Sequence, residues 1–310
     1  MSQVAGLGGN VRYISEFVAY KKFMSMHYLM PAVTGRNVLG VRAQIGYVQG
    51  WGGDVAPPNN RIYGGGEGEL RGFDVRAATP YGYVPNRVDV QLTNPDGQCV
   101  SRFPGDRADT DCIQVPLPVY GIASIGGDTS LTANAEYRIP IAGPVTFAFF
   151  DDFGIDTALN KSQLKQSPEG FATLTAPLYG CPVYNNGACQ NGIPGSQVGF
   201  QQKIRPVSGT NLVPRMSTGA EISVIMPVIN APFRLYYAYN PLRLYETPYC
   251  NTVIIGGNKG SCSAQLITRD MFPPGGAGDY TFNEAEQAYG SRYLFREPRK
   301  TFRLTVSTTF

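Results

Sequence analysis

Asn37-Val38-Leu39-Gly40-Val41-Arg42-Ala43-Gln44-Ile45-Gly46-Tyr47-Val48-Gln49-Gly50 decides the fold class, because its side chains sort with a period of two. Leu39, Val41, Ala43, Ile45 and Tyr47 fall on one side, and Gly40, Arg42, Gln44 and Gly46 on the other. That alternation marks a strand with one apolar and one polar face. A strand that crosses a bilayer needs about 9–11 residues, one face to lipid and the other to a lumen, so the length fits as well. The pattern recurs along the chain. Residues 129–141 set Leu131, Ala133, Ala135, Tyr137 and Ile139 against Thr132, Asn134, Glu136 and Arg138, and residues 145–154 follow almost at once. Residues 216–227 alternate Met216, Thr218, Ala220, Ile222 and Val224 with Ser217, Gly219, Glu221 and Ser223. Residues 233–240 pair with them, Phe233, Leu235, Tyr237 and Tyr239 facing outward, and residues 300–310 put Phe302, Leu304, Val306, Thr308 and Phe310 on one face. An opening strand falls within residues 10–30, where the alternation is blurred. With 37 Gly, 24 Pro, 19 Tyr and 16 Phe, the composition favours turns and aromatic strands over helices. The sequence predicts an all-β chain, an antiparallel transmembrane β-barrel segment of about seven strands.

The connections sort by length. Short turns fall near Ala142-Gly143-Pro144, Asn230-Ala231-Pro232 and Val33-Thr34-Gly35-Arg36, whereas residues 51–128, 156–215 and 246–299 form long ones. Outer-membrane barrels have short periplasmic turns and long extracellular loops, and a soluble sandwich has no reason to segregate its loops by side. Each long connection holds one cysteine pair: Cys99 with Cys112, Cys181 with Cys189, and Cys250 with Cys262. No Cys-x-x-Cys spacing and no neighbouring histidine suggests a metal, so the pairs read as disulfide candidates in an oxidising compartment. Closing a loop of some 15 residues in this way contributes about 3 kcal/mol.

Other functions find little support. A net charge of +3 without a basic block offers no footprint for nucleic acid. No stretch approaches the roughly 18 apolar residues of a membrane-spanning helix. Met1-Ser2-Gln3-Val4-Ala5-Gly6 lacks the features of a secretory signal, which together with the cysteines suggests a fragment of a longer protein. His27 is the single histidine and no Gly-x-Ser-x-Gly elbow accompanies it. Asp151 and Asp152 are adjacent in a strand, face opposite sides and cannot share a substrate. The run from Gly64 to Gly68 lacks the Lys-Ser/Thr ending of a phosphate loop. The expectation is a protein with no enzymatic site, no cofactor and no metal.

Within the first long connection the chain reads Arg61-Ile62-Tyr63-Gly64-Gly65-Gly66-Glu67-Gly68-Glu69-Leu70-Arg71-Gly72-Phe73-Asp74. This resembles the hallmark loop of the BamA superfamily of outer-membrane assembly proteins (BamA/TamA type, bacterial surface antigens), a glycine pair followed by a hydrophobic-Arg-Gly-aromatic tetrad. An alternating strand precedes it and further strands follow. Asn134-Ala135-Glu136-Tyr137, Phe149-Phe150-Asp151-Asp152-Phe153-Gly154, Arg215-Met216-Ser217-Thr218-Gly219 and Tyr237-Ala238-Tyr239-Asn240-Pro241 are similar to the family's later strands, in order. The resemblance implies a sixteen-stranded barrel preceded by periplasmic POTRA domains. This chain, 1–310, would then be a partial barrel domain, its C-terminal strands, with open edges that hydrocarbon does not tolerate.

The resemblance further implies that the loop folds back into the lumen. Gly64 and Gly65 would shape it, Arg71 would meet Glu136 and Asp152, Gly72 would let the backbone approach the wall, and Phe73 would pack the tip. Phe302, Leu304, Val306 and Phe310 are spaced like the family's terminal insertion signal, with Ser307 near a position where the family often has glycine. Asp151 departs from the pattern by falling on the lipid-facing side, and it is expected at the outer rim. The implied function is folding and insertion of other outer-membrane barrels through a weak seam at the final strand, where client strands pair by edge addition. Its partners would be outer-membrane lipid, unfolded outer-membrane protein clients and accessory lipoproteins, and its place the bacterial outer membrane. Three alternatives stand beside it: a two-partner secretion pore, a passive porin-like barrel, and a soluble secreted β-protein stapled by disulfides.

Overall fold

The structure, a computed structural model, describes residues 11–26, 37–91, 114–175, 184–185, 188–189, 201–226, 231–246, 265–266, 269 and 295–306. Wherever described residues alternate in the sequence, the chain is extended, because only the pleated strand sends successive side chains to opposite faces. The longer strands are β1 (Tyr13–Met26), β2 (Asn37–Gly50), β3 (Tyr81–Gln91), β4 (Gln114–Ser124), β5 (Thr129–Ala142), β6 (Val145–Thr157), β7 (Arg215–Met226), β8 (Ala231–Leu242) and β9 (Lys300–Val306). Seven of them form one antiparallel sheet in the order β1-β2-β5-β6-β7-β8-β9. Each neighbour in this meander is the next strand of the sheet along the chain. The all-β, antiparallel barrel-segment architecture expected from the alternation is what the chain adopts, and β1 and β9 form the two outer strands.

The two faces differ as a lipid face and a lumen face should. On the outward side Ile45, Leu131, Phe149, Ile222, Tyr237, Phe302, Leu304 and Val306 are all exposed. So contiguous an apolar surface is a liability in water and an asset in hydrocarbon. Among the described residues no helix is long and apolar enough to cross a membrane, which leaves the strands as the elements that can. The inward side is polar yet buried: Ser130, Thr132, Asn134, Glu136, Asp152, Ser217, Glu221, Arg234 and Asn240 are each less than a tenth exposed. Residues 61–80 cover them, so the interior is a polar lumen filled by its own loop.

Three details refine the sequence reading. First, the connection 51–128 is not loop throughout: β3 and β4 form a hairpin within it, flanked by the two-residue strands Gln265–Leu266 and Arg205–Pro206. Pro85, Pro116 and Pro118 disguise these strands, since proline cannot donate to a ladder. All three lie beyond the positions where the flanking strands pair, which are Tyr120 and Gly121 on β4 and Gly82 and Tyr83 on β3. Second, β6 runs to Thr157, and a short helix α1 (Pro168–Thr175) lies in the second long connection. Third, residues 307–310, with Phe310, fall outside the described residues. So do His27, the turn residues 33–36, and Cys99, Cys112, Cys181, Cys250 and Cys262, while Cys189 is described only through its backbone pairing with Tyr184.

Candidate functional site: the lumen loop and its acidic wall

The loop turns back on itself at its glycines. Gly64 pairs with Ala78, and its N–H donates to Asp156 Oδ2 on β6 at 3.2 Å. Gly65 has φ +107°, and a Cβ there would collide with the Asp74 carbonyl, so only glycine fits. Leu70 N–H then donates to Gly66 O at 2.8 Å, closing the turn that presents Arg71. Leu70, Phe73 and Ala78 form a small buried cluster, Phe73 being fully enclosed.

Arg71 is buried, with a side chain 2% exposed, as are Glu136 at 3% and Asp152 at 1%. Its Nε and Nη2 donate to the two oxygens of Asp152 at 2.7 and 2.9 Å, a bidentate fork, and its backbone N–H adds a third bond to Oδ2 at 3.0 Å. Nη1 donates to Glu136 Oε2 at 2.7 Å and to Glu221 Oε2 at 3.3 Å. The guanidinium carbon lies 3.8 Å from the centre of the Phe150 ring, which itself packs edge-on against Tyr236. Burial alone would lower the Arg71 pKa, but Asp152 and Glu136 outweigh it and hold the group further into its charged form.

Two further arginines balance the charge. Arg234 on β8 grips Glu221 through Nε and Nη2 at 2.7 and 2.6 Å, and Arg138 on β5 pairs with Glu136. Arg71, Arg138 and Arg234 therefore face Glu136, Asp152 and Glu221 in a network with no net charge. Isolated charges could not be held in so dry a place; mutual pairing with satisfied lone pairs is what permits it.

Gly72 follows with φ +85°, and a Cβ on it would come within 2.5 Å of Asn240 Oδ1 and 2.8 Å of the Ala238 Cβ. Its carbonyl accepts from Asn240 Nδ2 at 3.0 Å and from Thr301 Oγ1 at 2.9 Å. Asp74 forms an ion pair with Arg303. On the other flank Arg42 donates to Gly68 O at 2.6 Å, and Asn134 donates to Glu69 O at 2.7 Å. The loop is thus tied by hydrogen bonds or ion pairs to β2, β5, β6, β7, β8 and β9.

Residues 2–250 match the Omp85 superfamily domain. The chain belongs to the Omp85 superfamily. Among solved structures this Omp85 chain is similar to the crystal structure of BamA from Haemophilus ducreyi lacking POTRA domains 1–3, with 16% sequence identity and a TM-score of 0.40. That likeness covers 75% of this chain and 32% of the other, so the chain spans about a third of that protein's length. No curated protein matches it.

The structure brings Arg71, Glu136 and Asp152 together, and sets Gly64, Gly65, Gly72 and Phe73 in the loop that delivers the arginine. Phe302, Leu304 and Val306 lie outward on β9 at 68%, 68% and 54% exposure, on the opposite face of the sheet from that cluster. Sequence reasoning missed Glu221, Arg234, Phe150, Asn240 and Thr301. It also missed two devices at the long-loop end of this Omp85 sheet. Arg215 donates to Glu297 Oε1 at 2.8 Å while Leu244 N–H donates to Oε2 at 2.6 Å, which clasps the two ends of the last long connection. Arg61 donates to the carbonyls of Ala56, Ile125, Gln163 and Lys165 at 3.0 to 3.3 Å, tying the first long connection to the second.

Proposed function

We propose that this Omp85 chain is the seam-bearing part of an outer-membrane barrel that folds and inserts other barrels, a single partial barrel domain over residues 1–310 acting without enzymatic chemistry. The observation that carries the reading is the buried Arg71 network, through which the loop is fastened across the sheet from β2 to β9. A passive pore keeps its lumen open, and here a loop occupies it. Membership of the superfamily and the apolar outward face support a place in the outer membrane, in contact with lipid. On this reading β9, with Phe302, Leu304 and Val306 outward, is one lip of a seam at which unfolded clients add strands, and accessory lipoproteins hold the assembly near its substrates. The cysteine pairs would staple the long outer loops.

The test is client folding in proteoliposomes that contain the native protein, read from the heat-dependent gel mobility of a newly inserted barrel. Arg71→Ala is expected to lower the folded yield at least about tenfold while the variant itself remains inserted, since losing a buried partner costs about 3–5 kcal/mol. An undiminished yield overturns the reading. Export of one large soluble partner in place of barrel insertion would assign the chain to two-partner secretion.

A further inference from the structure

We propose that the long-loop end of β8 and β9 carries a binding site for the phosphate-bearing headgroup of a membrane lipid, built from Arg296, Arg299 and Lys300 with Arg243, Tyr239 and Tyr245. The apolar band on the outward face of β9 stops abruptly. Val306, Leu304 and Phe302 are 54%, 68% and 68% exposed, and Lys300 takes the next outward position. On β8 its register partner is Tyr239, which follows Tyr237 on the same face. Tyrosine and then cation at successive outward positions is the order in which a membrane strand leaves hydrocarbon and enters headgroups.

Above that level the cations gather. Arg299 Nη2 donates to the Tyr239 hydroxyl at 3.0 Å. Tyr245–Glu246 pairs with Phe295–Arg296, and Leu244 and Glu297 turn inward at 2% and 7% exposure, so Arg243, Tyr245 and Arg296 share the outward side. The guanidinium carbons of Arg243 and Arg296 lie 5.2 and 6.0 Å from the centre of the Tyr245 ring.

Among the described side chains no carboxylate forms an ion pair with these cations. Glu297 commits Oε1 to Arg215 and Oε2 to the Leu244 N–H; its charge attracts Arg243 from the inward side, but the hydrogen bond from Arg243 goes to its backbone carbonyl. On the outward face the row Asp151, Thr218, Tyr239, Lys300 puts Asp151 two strands away from Tyr239. Arginine forks over tyrosine rings with a lysine beside them, at the edge of an apolar band, match a phosphate held at fixed depth by its own acyl chains. A soluble anion would gain the charge but not the apolar surface beside it.

The full chain purified in detergent is offered lipid A, and separately its dephosphorylated form, and retained lipid is counted by native mass spectrometry. The phosphorylated lipid is expected to be kept selectively. Arg296→Gln/Arg299→Gln/Lys300→Gln should weaken retention on the order of 100-fold, about fivefold per cation, and Lys21→Gln/Lys22→Gln on β1 should leave it unchanged. Should the triple variant fail to fold, Lys300→Gln alone, which loses no hydrogen bond, is expected to weaken retention about fivefold. Equal retention of the dephosphorylated lipid, full retention by either site variant, or displacement of the lipid by millimolar inorganic phosphate would each overturn the proposal.

Discussion

At the scale of single residues, Arg71 is decided by desolvation. Taking a guanidinium into a site with 2% exposure is unfavourable unless its donors find acceptors, and Asp152 takes two of its bonds and a third from the Arg71 backbone N–H. Asp152→Asn is therefore expected to destabilise the sheet by about 3–5 kcal/mol, read as a fall in the urea midpoint in detergent. Arg71→Lys should recover less than about half of the loss of Arg71→Ala, because an ammonium cannot hold Asp152 through two bonds and reach Glu136 as well. A lysine variant as stable as the wild type would mean that charge matters there and the fork does not. Much of this site is legible in the sequence. The tetrad names Arg71, and parity alone turns Glu136 and Asp152 inward. Parity turned Glu221 inward too, but a period of two says nothing about which inward carboxylates meet across several strands. Phe150 had a signal that went unread: an aromatic on the polar side of a strand, which the guanidinium at 3.8 Å explains.

At the scale of elements, β1 illustrates why blurred alternation can still be a strand. Its inward side carries Phe17 and Phe23, which lie against Gly46 and Gly40 of β2, where a Cβ would come within 2.6 and 3.0 Å of the rings. An aromatic covering a cross-strand glycine restores the packing the glycine lacks, so an apolar residue on the lumen side here is a cross-strand pair and not a break in the pattern. Phe17→Ala is expected to cost about 1 kcal/mol and to speed amide hydrogen exchange in β1 and the facing half of β2, with β7 and β8 unchanged. Uniform exchange throughout would show that Phe17 does not hold the edge. β3 and β4 teach the converse. Their prolines argue against a strand in the middle of a sheet but are compatible with a two-stranded ribbon whose outer edges are mostly unpaired among the described residues, and sequence does not announce how many neighbours a strand will have.

At the scale of the whole molecule, the loop and the sheet edges belong to one design. Gly72 O and Asp74 fasten the loop to β9 through Thr301 and Arg303, yet β9 pairs over seven registered positions with β8 and on its other side has no partner among the described residues. Unpaired N–H and C=O groups in hydrocarbon cost several kcal/mol each, and on the proposed reading this edge is where another strand adds. If the edge is where clients add, a cysteine in place of Thr305 should cross-link to a cysteine in the terminal strand of an unfolded barrel client during insertion. Ala133→Cys, outward on β5 with both neighbours paired, should not. Thr301→Val removes one of the two hydrogen bonds to Gly72 O and leaves β9 held to the loop by the Asp74–Arg303 pair. It should change the cross-linking yield at position 305 without changing that at 133. Equal cross-linking from both positions would mean that clients touch the barrel wall indiscriminately, and the edge of β9 would then have no special part in insertion.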